Sequence, residues 1–294
     1  MRSTNQSHVL KGVLFTLFAA LGFALSLVLA RLSYEHGSNP ASVMFIRFAA
    51  MAIVLLLWTG YQNQSLRLNR VDTAGSLGCG LLYFTGIFAY LSSVAWLQVS
   101  LAVLIFYTFP IVVALIVAAN TRQPPNGLSL IALLVAFSGL LLALNVRSAE
   151  VSIQGLAFAI FASVAIACNI VFSSRVLQRV PTQVFSSYTA SLCAVLSALA
   201  VFTGEGLQLP QNAVGATVFL GMLLAFFVGF ICTFNAIACL GSLRFASLMN
   251  LEPVATIVFA LLILGETLSL LQALGAAIVI IAVVLAQYAS EPTV

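Results

Sequence analysis

Long apolar stretches separated by short polar breaks run along the whole chain. A transmembrane helix needs roughly 20 mostly apolar residues to cross a hydrocarbon core about 30 Å thick. The stretches lack the alternation of polar and apolar residues that transmembrane β-strands show. The pattern therefore predicts ten membrane-spanning helices, at residues 10–32, 41–61, 73–96, 99–119, 127–146, 154–177, 182–203, 213–239, 243–264 and 269–288.

Two of the polar breaks are very short. Leu97-Gln98 separates the third stretch from the fourth, and Gly241-Ser242 separates the eighth from the ninth. The other breaks contain Pro, Gly and Asn, which are typical of loops. We therefore expect tight helical hairpins at the two short breaks and ordinary loops elsewhere.

Composition supports a membrane protein and argues against an enzyme. Hydrophobic residues make up 62% of the chain and charged residues 6%, whereas soluble domains carry about 25% charged residues. The sequence contains neither a phosphate-binding glycine-rich loop nor a Gly-x-Ser-x-Gly nucleophile motif. It has a single aspartate, and both histidines lie outside the predicted spans. We therefore expect no catalytic site, no cofactor, no metal and no nucleic-acid partner.

The five cysteines all lie inside predicted spans. Their spacing does not match a metal site, so we expect them to be small, buried apolar side chains. They are Cys79, Cys168, Cys193, Cys232 and Cys239.

The basic residues fall mainly on one side of the predicted membrane. With ten spans, the side of the membrane opposite the N-terminus has only two basic residues, Arg31 and Arg147. The same side holds Glu35, Glu150, Glu205 and Glu266. The side of the N-terminus holds Arg2, Lys11, Arg67, Arg70, Arg122, Arg175, Arg179 and Arg244. Lys and Arg accumulate on the cytoplasmic side. We therefore expect a multi-pass protein of the cell inner (plasma) membrane with both termini in the cytoplasm.

The two halves of the chain, residues 1–147 and 148–294, resemble each other. Arg31 closes the first predicted helix and Arg175 closes the sixth, its counterpart. Each half has five spans, an odd number, so the second half enters the membrane inverted. The sequence thus predicts an all-α integral membrane protein with ten transmembrane helices in an inverted five-plus-five repeat. Such repeats are characteristic of secondary transporters that bind substrate near the membrane midplane.

Glu252 is an acidic residue deep within a predicted span. It lies roughly 13 Å into the ninth helix at a rise of 1.5 Å per residue, where charge is expensive. One interpretation is a carboxylate that exchanges protons or binds a substrate amine. The other is a structural carboxyl that is hydrogen-bonded at the helix break made by Pro253.

Arg47 and a tyrosine stripe are further candidates for a substrate cavity. Arg47 lies about 9 Å below the outer surface, where it can snorkel outward, pair with an acidic group, or hold a substrate carboxylate through its bidentate fork. Tyr83, Gly86 and Tyr90 share one face of the third helix. That face suits either an amphiphilic metabolite or close packing of a neighbouring helix at the glycine.

Tyr107 and Asn250 occupy equivalent places in the two halves, each three residues before a proline. Pro110 and Pro253 break the backbone hydrogen bonding, which is tolerated at membrane depth where helices pack or a cavity is lined. We therefore expect Tyr107 and Asn250 either to line a cavity or to pack between helices. Asn169, on the sixth helix, either joins them or cross-links two helices.

Three motifs near the C-terminus resemble the closing motif of the EamA family, in the drug/metabolite transporter superfamily. They are Leu251-Glu252-Pro253-Val254, Leu264-Gly265-Glu266-Thr267-Leu268 and Leu274-Gly275-Ala276-Ala277. Tyr107-Thr108-Phe109-Pro110 is the first-half counterpart. The resemblance implies ten helices, an inverted repeat, cytoplasmic termini, and the export of amino acids or other small metabolites from bacteria. Relatives within the superfamily carry nucleotide sugars or sugar phosphates.

The first half departs from the family pattern at one point. Ala119-Asn120-Thr121-Arg122 replaces the Gly-Glu element found there. Any role that the family gives to that glutamate therefore carries over to Glu266 alone.

Together these features predict a secondary transporter that exports small metabolites such as amino acids across the bacterial inner membrane. Its partners would be a small-molecule substrate, the lipid bilayer, and either protons or a counter-substrate. The sequence leaves a monomer and a homodimer open. An importer or antiporter of sugar phosphates or nucleotide sugars is an alternative, although it would call for more intramembrane cations than Arg47. A non-transporting membrane scaffold is a third hypothesis.

Overall fold

The computed structural model describes residues 2–94, 96–97, 99–122, 127–144, 152–204, 206–265, 267 and 269–289. Within these ranges every regular element is an α-helix. In chain order they are α1 (Arg2–Glu35), α2 (Pro40–Tyr61), α3 (Arg70–Val94), α4 (Val99–Phe106), α5 (Phe109–Thr121), α6 (Gly127–Ala143), α7 (Ile153–Val176), α8 (Thr182–Thr203), α9 (Ala213–Leu248), α10 (Leu251–Leu264) and α11 (Leu270–Ala289).

The helices follow the apolar stretches, but the fourth and ninth stretches are each interrupted. The fourth stretch is divided between α4 and α5, and the ninth between the end of α9 and α10. Each interruption lies just before a proline, which has no N–H to donate to the helix. Thr108 (φ −74°, ψ −11°) and Asn250 (φ −60°, ψ −12°) nevertheless stay in the right-handed helical region. The helix is therefore interrupted in its hydrogen bonding, while the φ and ψ angles of these two residues stay helical.

The expected hairpin between the eighth and ninth stretches is a turn inside α9. Gly241 has φ 74° and ψ 174° there, a conformation that glycine adopts without the steric cost of a side chain. The helical residues on either side of Gly241 therefore form two segments.

Seven helical segments of the described chain are long and apolar enough to cross a membrane. They are Ser7–Glu35, Pro40–Tyr61, Arg70–Ser93, Leu101–Thr121, Ile153–Val176, Thr182–Thr203 and Ala213–Leu248. Three shorter apolar helices are Leu130–Ala143, Leu251–Leu264 and Leu270–Leu285. The protein is thus all-helical over its described part, with several spans.

The main helix contacts join the first half of the chain to the second. α1 packs on α9, α2 on α8, α3 on α7, and α6 on α11. Some of these contacts need glycine: a Cβ added to Gly139 in α6 would lie 2.9 Å from the Gly275 carbonyl oxygen of α11. The two halves therefore form one packed bundle.

Aromatic side chains fill the centre of the bundle. Phe48 of α2, Tyr83 of α3, and Phe230 and Phe234 of α9 are buried. The ring centroids of Phe230 and Phe234 are 5.1 Å apart, and those of Tyr83 and Phe230 are 5.8 Å apart, in edge-on arrangements. Such pairs add directional contacts to the area that they bury.

The expectation that all cysteines are buried is wrong for three of them. Cys79 and Cys193 are buried, but Cys168, Cys232 and Cys239 are partly exposed, and all five are free thiols. An apolar side chain does not need burial inside the protein when the surrounding lipid is equally apolar.

Several residues named above lie outside the described part of the chain. Among them are Gln98, Arg147, Glu150, Glu205 and Glu266. The proposed boundary between the two halves, at residues 147 and 148, also falls outside the described part.

Candidate functional site

Arg47 projects from α2 against aromatic rings. Its guanidinium carbon lies 4.8 Å from the Phe226 ring centroid and 5.2 Å from that of Phe48, close enough for cation–π attraction. The side chain is partly exposed, yet its Nε is buried and makes no hydrogen bond with any described residue. A buried guanidinium donor without a partner favours an anionic ligand.

Tyr83 lies near both this cation and the carboxyl of Glu252. Its ring packs edge-on against Phe48, with centroids 6.0 Å apart. Its hydroxyl lies within electrostatic range of both Arg47 and Glu252. Tyr83 thus brings a cation from α2 and a carboxyl from α10 into one region.

Glu252 lies in the first turn of α10 and is partly exposed. The positive end of a helix stabilises a carboxylate there. The Tyr107 side chain is within hydrogen-bonding reach of the Glu252 carboxyl. Tyr90 lies within electrostatic range of the same carboxyl, and its ring centroid is 4.5 Å from that of Phe106.

The fold therefore collects five of the candidate side chains in one region. These side chains come from α2, from α3, from the interruption between α4 and α5, and from α10. They are Arg47, Tyr83, Tyr90, Tyr107 and Glu252. The set offers a cation, a carboxyl and three phenol hydroxyls, with aromatic rings between them.

Two other candidates make different contacts. The amide of Asn169 donates to the Cys79 carbonyl oxygen at 2.7 Å, which joins α7 to α3. This is the cross-linking alternative. The amide of Asn250 is buried and donates to the Ser247 carbonyl oxygen at 3.1 Å, within its own helix break.

Gly86 serves packing rather than a cavity. A Cβ at this position would lie 2.9 Å from the Ile166 side chain of α7. Gly86 of the tyrosine stripe thus admits α7, whereas Tyr83 and Tyr90 lie within electrostatic range of Glu252.

Sequence reasoning missed the rings around Arg47. Phe48 is its neighbour in sequence, and Phe226, Phe230 and Phe234 recur every four residues along α9. Residues four apart share a helix face, so this stripe was visible in the sequence. What the sequence does not show is that Phe226 of this stripe faces Arg47.

Two segments of the chain, residues 10–145 and 153–288, match the family model described as the EamA-like transporter family. The chain belongs to this family. The match spans nearly all of the chain and confirms the resemblance in the closing motif.

Full-length bacterial relatives support the same assignment. The chain is 24% identical to the "Uncharacterized transporter YcbK" of Bacillus subtilis (strain 168), over 94% of this chain and 93% of the relative. It is also 24% identical to an "Uncharacterized transporter" of Clostridium kluyveri, over 92% and 91%. A protein of known crystal structure shares the fold, with a TM-score of 0.80 and 20% identity over 94% of this chain and 97% of that one.

The family and the transporter relatives make this EamA protein a multi-pass membrane transporter. They point to a transporter rather than to an enzyme. A transporter requires a small-molecule substrate, and the polar region between Arg47 and Glu252 is the candidate place for it.

Proposed function

We propose that this EamA protein is a secondary transporter that exports small zwitterionic metabolites, such as amino acids, across the bacterial inner membrane. One observation carries the proposal: Arg47 and Tyr83 both pack on the Phe48 ring, and the charge of Glu252 acts on the Tyr83 hydroxyl. A zwitterion has a carboxylate for the guanidinium and an ammonium for the carboxyl.

The contacts of Arg47 fit a carboxylate ligand. The rings of Phe48 and Phe226 hold the guanidinium at 5.2 and 4.8 Å, which leaves its polar edge for bidentate pairing. The buried Nε has no partner among the described residues. A substrate carboxylate would satisfy this donor.

The tyrosines fit the remainder of the substrate. Tyr83, Tyr90 and Tyr107 combine apolar ring surface with hydroxyls that orient polar groups. Tyr107 also lies in hydrogen-bonding reach of Glu252, so its hydroxyl can hold the carboxyl in place beside a substrate amine.

Sugar phosphates and nucleotide sugars fit this region less well. The guanidinium of Arg47 suits a phosphate, but the nearby carboxyl of Glu252 repels a dianion. The described chain places no second basic residue among the contacts of Arg47.

We also propose ten spans built as two inverted halves, residues 1–147 and 148–294, with both termini in the cytoplasm. The packing pairs support this design. If the two halves are exchanged, the contact between α1 and α9 becomes the contact between α7 and α3. The α2–α8 contact and the α6–α11 contact each remain the same pair. Transport would be driven by exchange, by protons or by the substrate gradient.

Reporter fusions test the topology. Reporters placed after Arg122 and Val294 should lie in the cytoplasm, and those after Asn39 and Gly206 outside. Fusions after Asn39 and Arg122 on the same side of the membrane would rule out the ten-span arrangement.

Flux into proteoliposomes tests the substrate class. The purified protein should transport labelled neutral amino acids. Unlabelled amino acids should compete, whereas analogues without the amine or without the carboxylate should compete at least about tenfold more weakly, as expected for losing one charge-assisted contact. Transport of a sugar phosphate without transport of any zwitterion would contradict the proposal.

Variants assign each end of the substrate. Arg47→Gln should remove the preference for the amino acid over its amine analogue, because the carboxylate no longer has a partner. Arg67→Gln is the matched control, since it makes the same charge change at an exposed position in the loop before α3. If both variants behave alike, Arg47 does not bind the carboxylate.

A further inference from the structure

A groove of about 360 Å³ lies between α3 and α7, apart from the Arg47–Glu252 region. It is lined by Gly75, Gly78, Cys79, Leu82, Phe172 and Val176. Every lining side chain is apolar or a thiol. The groove therefore suits a hydrocarbon chain rather than a polar metabolite.

The groove faces away from the bundle. Phe172 is 45% exposed, and a Cβ added to Gly78 would meet no atom within 4 Å. In a multi-pass membrane protein, exposed apolar surface at a span meets lipid tails. A lipid acyl chain is thus the molecule that this surface meets.

A cation stands at one end of the groove. α7 carries Arg175 in its last turn, and the Arg175 guanidinium carbon lies 5.9 Å from the centroid of the Phe172 ring that forms a wall. The Arg175 side chain is exposed. One turn further on, Arg179 is 59% exposed and 3.5 Å from Asp72.

We propose that this groove binds one anionic phospholipid, with an acyl chain along Gly75, Gly78 and Phe172 and its phosphate paired with Arg175. Guanidinium and phosphate form strong charge-assisted hydrogen bonds, and basic pockets between transmembrane helices bind anionic headgroups. A net negative headgroup is favoured because the groove lining carries no charge, and at this end of the groove Arg175 and Arg179 outnumber the single carboxylate of Asp72.

The groove also borders the contact between the two halves. Cys79 lines it, and the Cys79 carbonyl oxygen accepts the Asn169 hydrogen bond that joins α3 to α7. A lipid in the groove would contact both helices. It would stabilise the folded protein, since a ligand that binds only the native state raises its stability.

Native mass spectrometry of the full chain tests the proposal. The detergent-purified protein would be incubated with phosphatidylglycerol or phosphatidylcholine. One bound phosphatidylglycerol should be retained at least about fivefold more than phosphatidylcholine, the preference expected from one basic residue near the membrane surface. Phosphatidylglycerol should also raise the thermal unfolding temperature.

Two variants separate the headgroup contact from the tail contact. Arg175→Gln should lower phosphatidylglycerol retention about fivefold. Gly78→Leu should lower the retention of both lipids, because the new side chain fills the groove. A Cβ at position 78 meets no atom within 4 Å. The unfolding temperature of Gly78→Leu without lipid should therefore match that of the wild type. Lys11→Gln is the control, an equal charge change at an exposed residue of α1, and should have no effect.

Three results would overturn the proposal. The first is equal retention of the two lipids by the wild type. The second is wild-type retention by both Arg175→Gln and Gly78→Leu. The third is displacement of the bound lipid by a transported metabolite, which would make the groove part of the substrate path.

Discussion

The two helix interruptions are similar in position but differ in their side chains. Each precedes a proline, and the residues before α5 and α10 have nearly the same φ and ψ. Alignment of Pro110 with Pro253 places Phe109 opposite Glu252. Phe109 is buried, with its ring 5.7 Å from those of Phe106 and Tyr107. Glu252 is partly exposed and carries a carboxyl.

Another equivalent pair, Tyr107 and Asn250, differs in the direction of its contacts. Tyr107, in the first half, reaches the Glu252 carboxyl in the second half. Asn250, its counterpart, turns back to the Ser247 carbonyl oxygen of its own segment. The repeat therefore supplies the same kind of break twice, whereas a carboxyl, with the tyrosine hydroxyl that reaches it, occurs at only one of them. A repeated scaffold can hold an asymmetric site.

The largest effect is expected at Glu252. Glu252→Gln keeps the shape and the hydrogen-bonding capacity of the side chain but removes its charge. Transport of a zwitterion should fall at least about tenfold, the loss expected when one charge-assisted contact is removed. Initial rates of uptake into proteoliposomes measure this.

The pH profile shows whether ionisation of Glu252 matters. If the carboxylate binds the substrate amine, wild-type affinity should decrease as pH falls across roughly 8 to 5.5, because protonation removes the negative charge. Glu252→Gln should show no such decrease. Phe109→Leu, at the equivalent position, should keep the wild-type rate and profile. A folded Glu252→Gln protein with wild-type flux at every pH would leave the carboxyl only a structural role.

Much of the fold was predictable because its signals are local. Apolar length predicted the helical stretches, and the Gly241-Ser242 break predicted the turn within α9. Pro110 and Pro253 predicted a break inside each of two stretches, and the fourth stretch still forms one candidate span, Leu101–Thr121.

The site was predictable only in part, because its contacts join distant helices. Arg47 and Glu252 stood out as charges at membrane depth, where charge is costly. Their relation through Tyr83 depends on how α2, α3 and α10 pack, and no local pattern encodes that. The same limit applies to Asn169, whose contact with the Cys79 carbonyl requires α7 to lie against α3.

A smaller effect is expected from the prolines. Pro253→Ala and Pro110→Ala each add an N–H that can extend helical hydrogen bonding through the break. Both variants should fold, with stability changed by no more than about 1 kcal/mol. Transport should fall about threefold for Pro253→Ala and less for Pro110→Ala, because Glu252 lies beside the former. Unfolding temperatures and uptake rates measure the two quantities. A larger loss for Pro110→Ala would show that the first break, not the second, positions the site.

The smallest effect on transport is expected from Tyr107→Phe, compared with its counterpart Asn250→Ala. Tyr107→Phe removes the hydroxyl that lies in hydrogen-bonding reach of Glu252 and keeps the ring packing, so KM should rise about twofold to fivefold with little change in stability. Asn250→Ala removes a bond within its own segment, so it should cost about 1 kcal/mol of stability and leave KM unchanged. The double variant Tyr107→Phe/Glu252→Gln should lose less than the two single losses combined, because both changes remove the same contact. Additive losses would show that Tyr107 and Glu252 do not act through one contact. A KM that rises in Asn250→Ala and not in Tyr107→Phe would show that Asn250, rather than Tyr107, contributes to substrate binding.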